Sequence, residues 1–185
     1  MILNLLRRNP SKTTIQALYG VIVAQARLPS FYARYGVPDT VDGRFDMIVL
    51  HLFLLVGRMV GESGPAGALG PALFNRFCVD LDHNLREMGV GDLTVPRRMK
   101  SYAEAFYGRS EVYRRALAAR DRAALSAALA RNVFGREEAD DESSRLADYV
   151  FGAASALAAQ SADVAMRGYL RFPDPENLDA VPAES

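Results

Sequence analysis

An almost uninterrupted apolar run limits what this chain can fold into. Across residues 47–56 only His51 breaks the run. A helix that is apolar all the way round must be covered by other elements. The run is also too short to cross a bilayer, which needs about 20 apolar residues. It therefore predicts the central helix of a folded domain.

Amphipathic stretches on both sides of this run predict the helices that cover it. Apolar residues recur at helical spacing across 11–28, across 71–88 and along the stretch after Pro96, which Gly108 is expected to bend or interrupt. Another long helix is expected after the acidic run at 137–144, and no stretch alternates as a strand would.

The length and the last prolines set the predicted domain organisation. The 185 residues fit one domain with a substantial core. Pro173 and Pro175 are expected to end it. We therefore predict the all-α class, with a single compact multi-helix domain at 1–172 around the buried central helix and a mobile tail at 173–185.

The segment at 35–45, just before the apolar run, predicts a fixed backbone geometry. Pro38 biases Val37 towards an extended conformation. Asp39 or Thr40 can then cap the central helix. Apolar side chains on such a segment can be both well placed and reachable from outside.

The residues that carry chemistry elsewhere give no catalytic pattern here. His51 is most simply a core histidine with one hydrogen-bond partner. Asp80, His83 and Glu87 share a helix face that could hold a metal, but a solvated polar face is the simpler interpretation. Cys78 lies on an apolar stripe, where thiols are usually inert. We predict no catalytic residue, no metal and no cofactor.

Positive charge is concentrated in one part of a chain whose formal net charge is zero. Residues 97–122 carry eight basic and three acidic side chains. Four of the basic side chains form a candidate surface for phosphate groups, either of ribosomal RNA or of anionic lipid: Arg97, Arg98, Lys100 and Arg109. A solvated helix face is the competing interpretation.

Four ordered motifs carry a resemblance to a known family over about residues 10–175. They are YGVPDTVDGRFDMIVLHLFLLVGRM, FCVDLDHNLREMGVGDLTVPRRMKSYAEAFYGR, RNVFG and YLRFPDP. Together they resemble the ubiquinol–cytochrome c chaperone family. The resemblance implies an all-helical, non-enzymatic assembly factor. Mitochondrial members assist newly made cytochrome b near the ribosomal exit tunnel, together with a small partner protein.

This resemblance sets our expectations for partners and location. The chain is expected to be a bacterial relative without the import segment of mitochondrial members. It is expected to be cytoplasmic, or peripheral on the inner membrane, since its first residues lack the order of a signal peptide. The expected partners are unassembled cytochrome b, the ribosome exit region and the membrane surface. Whether a small partner protein accompanies it is left open.

A holding protein of this kind needs an apolar groove with a polar rim. Our candidates for the groove bracket the central helix: Tyr32, Tyr35, Val37, Pro38, Phe45, Phe106 and Tyr107. Tyr35, Val37 and Pro38 are favoured, whereas Phe45 and Phe106 also fit core packing. The competing functions are a helical interaction module unrelated to respiration and an enzyme with a polar pocket around one of the histidines.

Overall fold

The predicted all-α class is confirmed in the computed structural model, which describes residues 10–177. Within that range the chain forms helices and turns, without a β-strand. The helices are α1 Lys12–Ala26, α2 Pro29–Ala33, α3 Val41–Arg58, α4 Gly64–Gly67, α5 Leu69–Glu87, α6 Val95–Ala119, α7 Arg122–Leu129, α8 Asp141–Ala159 and α9 Ala162–Met166, with a π-helical turn at Ala130–Phe134 between α7 and α8.

The apolar run lies in α3, which is the central helix of the domain as predicted. Thr40 caps the helix, because its side-chain oxygen accepts a hydrogen bond of 3.1 Å from the backbone N–H of Gly43. Every side chain at 49–55 is buried, and α1, α5, α6 and α8 all pack against α3. The helix is therefore covered on each face along its middle turns.

The segment before α3 folds back tightly on the helix that it precedes. A Cβ atom at Gly43 would lie 2.0 Å from the carbonyl oxygen of Pro38, so only glycine fits at this position. Gly36 has a φ of +73°, which also favours glycine. These two positions fix the path of residues 36–43, in which Val37 is buried and residues 39–42 remain exposed.

One local prediction differs from the structure. Helix α6 continues through Gly108, because an isolated glycine weakens a helix without ending it. Pro29 is the first residue of α2, where its missing N–H costs no hydrogen bond. The glycine-rich stretch after α3 contains the short helix α4.

His51 is fully buried, and it has two hydrogen-bond partners where one was predicted. Its Nδ1 lies 2.7 Å from the carbonyl oxygen of Met47, and its Nε2 lies 2.8 Å from the Tyr149 hydroxyl. A carbonyl oxygen only accepts, so Nδ1 carries the proton and Nε2 accepts from Tyr149. Gln25 Nε2 in turn donates to the Tyr149 hydroxyl at 3.1 Å. Burial lowers the pKa of His51 to about 4.

Residues 173–177, predicted as the start of a mobile tail, pack against the domain. Gln25 Nε2 donates to the Pro173 carbonyl oxygen at 2.9 Å, and the Tyr35 hydroxyl donates to the Pro175 carbonyl oxygen at 2.6 Å. Both prolines are buried. The structure therefore places no boundary after Phe172, and the rest of the predicted tail, 178–185, lies outside the described residues.

None of the helices between residues 10 and 177 combines the length and the apolar character needed to cross a membrane.

The burial of His51 predicts a specific pH dependence of stability. The pKa of His51 is about 4 in the folded chain, against an ordinary value of 6.5. Between these values the unfolded chain binds a proton that the folded chain does not, so stability falls as the pH falls. We expect urea denaturation at pH 7 and pH 5 to show a loss about 2 kcal/mol larger in the wild type than in His51→Gln.

His83 provides the matched control, because its side chain is 69% exposed. The His83→Gln variant is measured in parallel, and the loss that we assign to His51 should remain in it. An equal loss of stability in the wild type and in His51→Gln would contradict the assignment to His51.

The packed C-terminal segment predicts that the domain needs residues beyond 172. A chain ended after Phe172 loses the carbonyl acceptors of Gln25 and Tyr35. Loss of these two hydrogen bonds, together with the apolar surface that the segment no longer covers, should lower the free energy of unfolding by about 2 kcal/mol. A chain ended after Asn177 keeps both acceptors and is the control. Equal denaturation midpoints for the two truncated chains would show that the segment contributes no stability.

Candidate functional site

An open apolar groove of about 830 Å³ lies between the C-terminal half of α3, the second half of α6 and the end of α8. Phe53, Leu54 and Phe106 form its buried floor. Further lining comes from Val56, Gly57, Arg58, Val60, Glu62, Tyr107, Ser110, Glu111, Arg114, Leu117, Ala118, Ala154 and Ala158. We call this the α3/α6/α8 groove.

Small residues explain why the groove stays open. Gly57, Ala118, Ala154 and Ala158 all line it, and none has a side chain that extends beyond Cβ. A Cβ atom added at Gly57 would meet nothing within 4 Å. The three helices therefore leave between them a space that larger side chains would fill.

Charged side chains form the rim of the groove, and most are already paired. Arg58 contacts Glu62 at 2.5 Å and donates to the carbonyl oxygens of Leu157 and Gln160. On α6, Arg114 pairs with Glu111 at 2.7 Å. The Arg58 contacts tie the end of α3 to the end of α8, so they hold that wall of the groove in place.

A second groove of about 500 Å³ adjoins the first and extends towards the start of α5. The two grooves share Val60 and Tyr107, whose side chains are 73% and 61% exposed. Phe74 and Pro71 line the far side of the second groove. The result is one continuous apolar surface with Val60 and Tyr107 near its middle.

The Ser110 hydroxyl lies in the lining of the α3/α6/α8 groove. Its oxygen is buried and has no hydrogen-bond partner among the described residues. Otherwise the floor presents carbon atoms. The groove can thus bury an apolar segment.

The structure corrects the two sequence candidates at Tyr35 and Val37. Only 5% of Tyr35 and 2% of Val37 is exposed. The Tyr35 ring lies 5.4 Å from that of Phe31 and 6.0 Å from that of Tyr149. Its hydroxyl donates to the Pro175 carbonyl oxygen. Both residues belong to the core, and the C-terminal segment contacts Tyr35 there.

The other five candidates lie in different places. Tyr32 is half-buried, and its hydroxyl donates to the Ala26 carbonyl oxygen at 2.7 Å. Pro38 is half-buried. Phe45 packs against Tyr102 and lines a separate pocket of about 250 Å³. Only Phe106 and Tyr107 line the large grooves, where their rings lie 5.6 Å apart.

The four candidate basic residues do not form one surface patch. Arg109 forms an ion pair with Asp46, which is largely buried, so its charge is already used inside the fold. Burial raises the pKa of Asp46, and the Arg109 guanidinium opposes this shift. Arg97, Arg98 and Lys100 are exposed at the start of α6. Arg109 is therefore removed from the proposed phosphate-binding set.

The residues considered for metal binding or nucleophilic chemistry have ordinary partners. Asp80 accepts a hydrogen bond of 2.9 Å from the Tyr19 hydroxyl, while His83 lies 3.2 Å from Glu87. No group of three possible ligands is close enough to hold a metal within residues 10–177. Cys78 is half-buried, and burial raises the pKa of its thiol.

Sequence reasoning missed the α3 and α8 sides of the groove. The apolar run predicts core throughout residues 47–56, although Val56 and the two residues after it line the groove. A usable signal existed in the alanine-rich end of α8 and in Gly57. Such small residues cannot fill the space beside a bulky apolar helix.

Three comparisons with known proteins agree on the relatives of this chain: a family profile, a related sequence and a solved structure. The profile of the family described as ubiquinol-cytochrome C chaperone matches residues 33–172. The ubiquinol-cytochrome-c reductase complex assembly factor 1 of Xenopus laevis is 27% identical over 134 residues, which cover 71% of this chain and 66% of that protein. The chain thus spans just under two thirds of the length of this relative.

A solved structure extends the similarity to the fold. The crystal structure of the Cbp3 homolog from Brucella abortus is 40% identical in sequence and superimposes with a TM-score of 0.83, covering 91% of this chain and 93% of that one. The family profile also spans most of the helical domain. The chain therefore belongs to the ubiquinol-cytochrome C chaperone family.

Proposed function

We propose that this protein is an assembly chaperone that holds an apolar helical segment of newly made cytochrome b in the α3/α6/α8 groove. The observation that carries the proposal is the open apolar groove of about 830 Å³ between three packed helices. Its relatives include an assembly factor of the ubiquinol-cytochrome-c reductase complex. The role requires apolar contact and no catalytic residue.

The shape of the groove suits a helix as its occupant. On α6 the lining runs from Phe106 to Ala118, which is a length of about 18 Å at the rise of an α-helix. Gly57, Ala154 and Ala158 allow the backbone of a partner helix to approach closely. Two to three turns of a transmembrane segment would fit along this length.

Burial of apolar surface would supply the binding energy, at about 25 cal/mol per Å² before ordering costs are subtracted. Tyr107 and Val60 are the most exposed apolar side chains of the groove, so they would gain the most from being covered. The paired charges of Arg58 and Glu62 stay at the rim. An occupant therefore need not bury an unpaired charge there.

The same mode of action would also bring the protein close to its other expected partners. Holding a segment that has not yet entered the membrane places the protein beside newly made chains, which is consistent with action near the ribosome exit region. The second groove of about 500 Å³ leaves apolar surface for a further segment of the client or for a small partner protein.

Filling the groove tests the proposal directly. Because a Cβ atom at Gly57 meets nothing within 4 Å, Gly57→Leu should fold, and its side chain should occupy the space of the client. We expect affinity for newly made cytochrome b to fall about tenfold or more, equivalent to about 1.4 kcal/mol. The measurement is photo-cross-linking from residue 60 during synthesis of cytochrome b.

Two matched controls make the result interpretable. Gly20→Leu makes the same change in α1, where the added Cβ also meets nothing within 4 Å. A cross-linker at Val41, which is 78% exposed at the other end of α3, should capture little client. Undiminished capture by Gly57→Leu would exclude the groove as the binding site.

Deletion of the gene separates this proposal from a helical interaction module unrelated to respiration. Loss of the chaperone should lower the amount of assembled cytochrome b, and Gly57→Leu should fail to restore it where Gly20→Leu succeeds. Normal amounts of assembled cytochrome b in the deletion strain would favour the unrelated module.

A further inference from the structure

The turn between α5 and α6, residues 88–94, carries two apolar side chains that the fold leaves uncovered. Met88 is 64% exposed and Leu93 is 91% exposed. Leu93 has the largest exposed fraction of the large apolar side chains described. The neighbouring Val95 is 1% exposed, so the turn is anchored to the core beside these two side chains.

Two arginines without ion-pair partners follow this turn. Arg97 and Arg98 are exposed on the first turn of α6, and neither contacts an acidic side chain within the described range. The first turn of α6 contains no acidic residue. Lys100 is 3.8 Å from Glu104 and is partly neutralised.

Acidic side chains near the turn contact residues of α5. Arg86 pairs with Asp82 at 2.8 Å and also with Asp92, while Glu87 lies 3.2 Å from the His83 ring. These contacts leave the positive charge of Arg97 and Arg98 without an internal counterpart. A partner that bears negative charge would complement it.

We propose that the turn between α5 and α6 docks on an anionic membrane surface. Leu93 and Met88 enter the boundary between headgroups and acyl chains, while Arg97 and Arg98 contact lipid phosphates. Ribosomal RNA would account for the arginines only, because phosphate contacts do not require an exposed leucine. The combination of apolar and basic side chains favours lipid.

The path of α6 connects this contact to the groove. Nine residues separate Arg97 from Phe106, which corresponds to about 14 Å along the helix. A protein docked by the turn would hold the start of its groove within a short distance of the bilayer surface. The inference goes beyond the proposed client binding, and it does not depend on the groove being occupied.

Vesicle co-sedimentation of the full chain tests the inference. We expect binding to phosphatidylcholine vesicles that contain phosphatidylglycerol, weakening as salt is added, and little binding to phosphatidylcholine alone. Leu93→Ser combined with Met88→Ser should lower binding to the anionic vesicles about tenfold or more. Arg97→Gln combined with Arg98→Gln should cause a loss of similar size at low salt.

Control variants elsewhere in the chain show whether the loss of vesicle binding depends on the position of the changed residues. Val41→Ser removes an apolar side chain that is 78% exposed elsewhere, and it should bind vesicles as the wild type does. Arg114→Gln combined with Arg115→Gln changes two adjacent arginines on the same helix that Glu111 already holds. This pair should also have little effect. Circular dichroism confirms that each variant is folded.

Three outcomes would overturn the inference. The membrane contact is excluded if the wild type does not bind vesicles, or if the 88/93 and 97/98 double variants both bind them as the wild type does. Retention of ribosomes that depends on Arg97 and Arg98 but not on Leu93, without vesicle binding, assigns the surface to RNA. Gly57→Leu should bind vesicles normally, so failure of the groove proposal is distinguishable from failure of this one.

Discussion

Burial of α3 on all sides is the constraint on which the rest of the structure depends. Its side chains at 49–55 are buried, and four other long helices exist in positions that cover them. Covering one helix so completely also buries His51, which is tolerated because both ring nitrogens have partners. The Gln25 side chain then joins this polar group to the C-terminal segment. The core and the end of the domain are thereby held by one hydrogen-bonded network.

The cover over α3 is incomplete at one end, and the groove that we propose as the functional surface lies there. Around Gly57 the neighbouring helices present alanines, so they approach without filling the space. A closed core at this end would need larger side chains at those positions, and the chain instead fixes the rim with Arg58. The same physical property, an apolar helix without polar faces, thus gives a buried core in the middle of α3 and an open apolar groove at its end.

The sequence predicts the framework of this protein better than its surface. Helical periodicity and the apolar run lead to the all-α class and to the central helix, because both depend on local spacing. The candidate site is predicted less well, because only some of its residues lie where the sequence suggests. Phe106 and Tyr107 line the groove, whereas Tyr35 is buried and contacts Pro175, 140 positions away in the chain. Spacing within one segment carries no information about such distant contacts. The pairing of Arg109 with Asp46 across 63 positions is hidden in the same way.

Helix α6 links the two surfaces that carry our proposals. Its first turn presents unpaired arginines beside an exposed leucine, and its second half forms one wall of the groove. The helix is continuous between them, so the distance and direction from one surface to the other are fixed. An apolar segment held in the groove is exposed to water at its ends. A fixed orientation towards the bilayer would shorten the path that such a segment travels through water. A continuous α6 therefore fits a protein that uses the groove and the turn together.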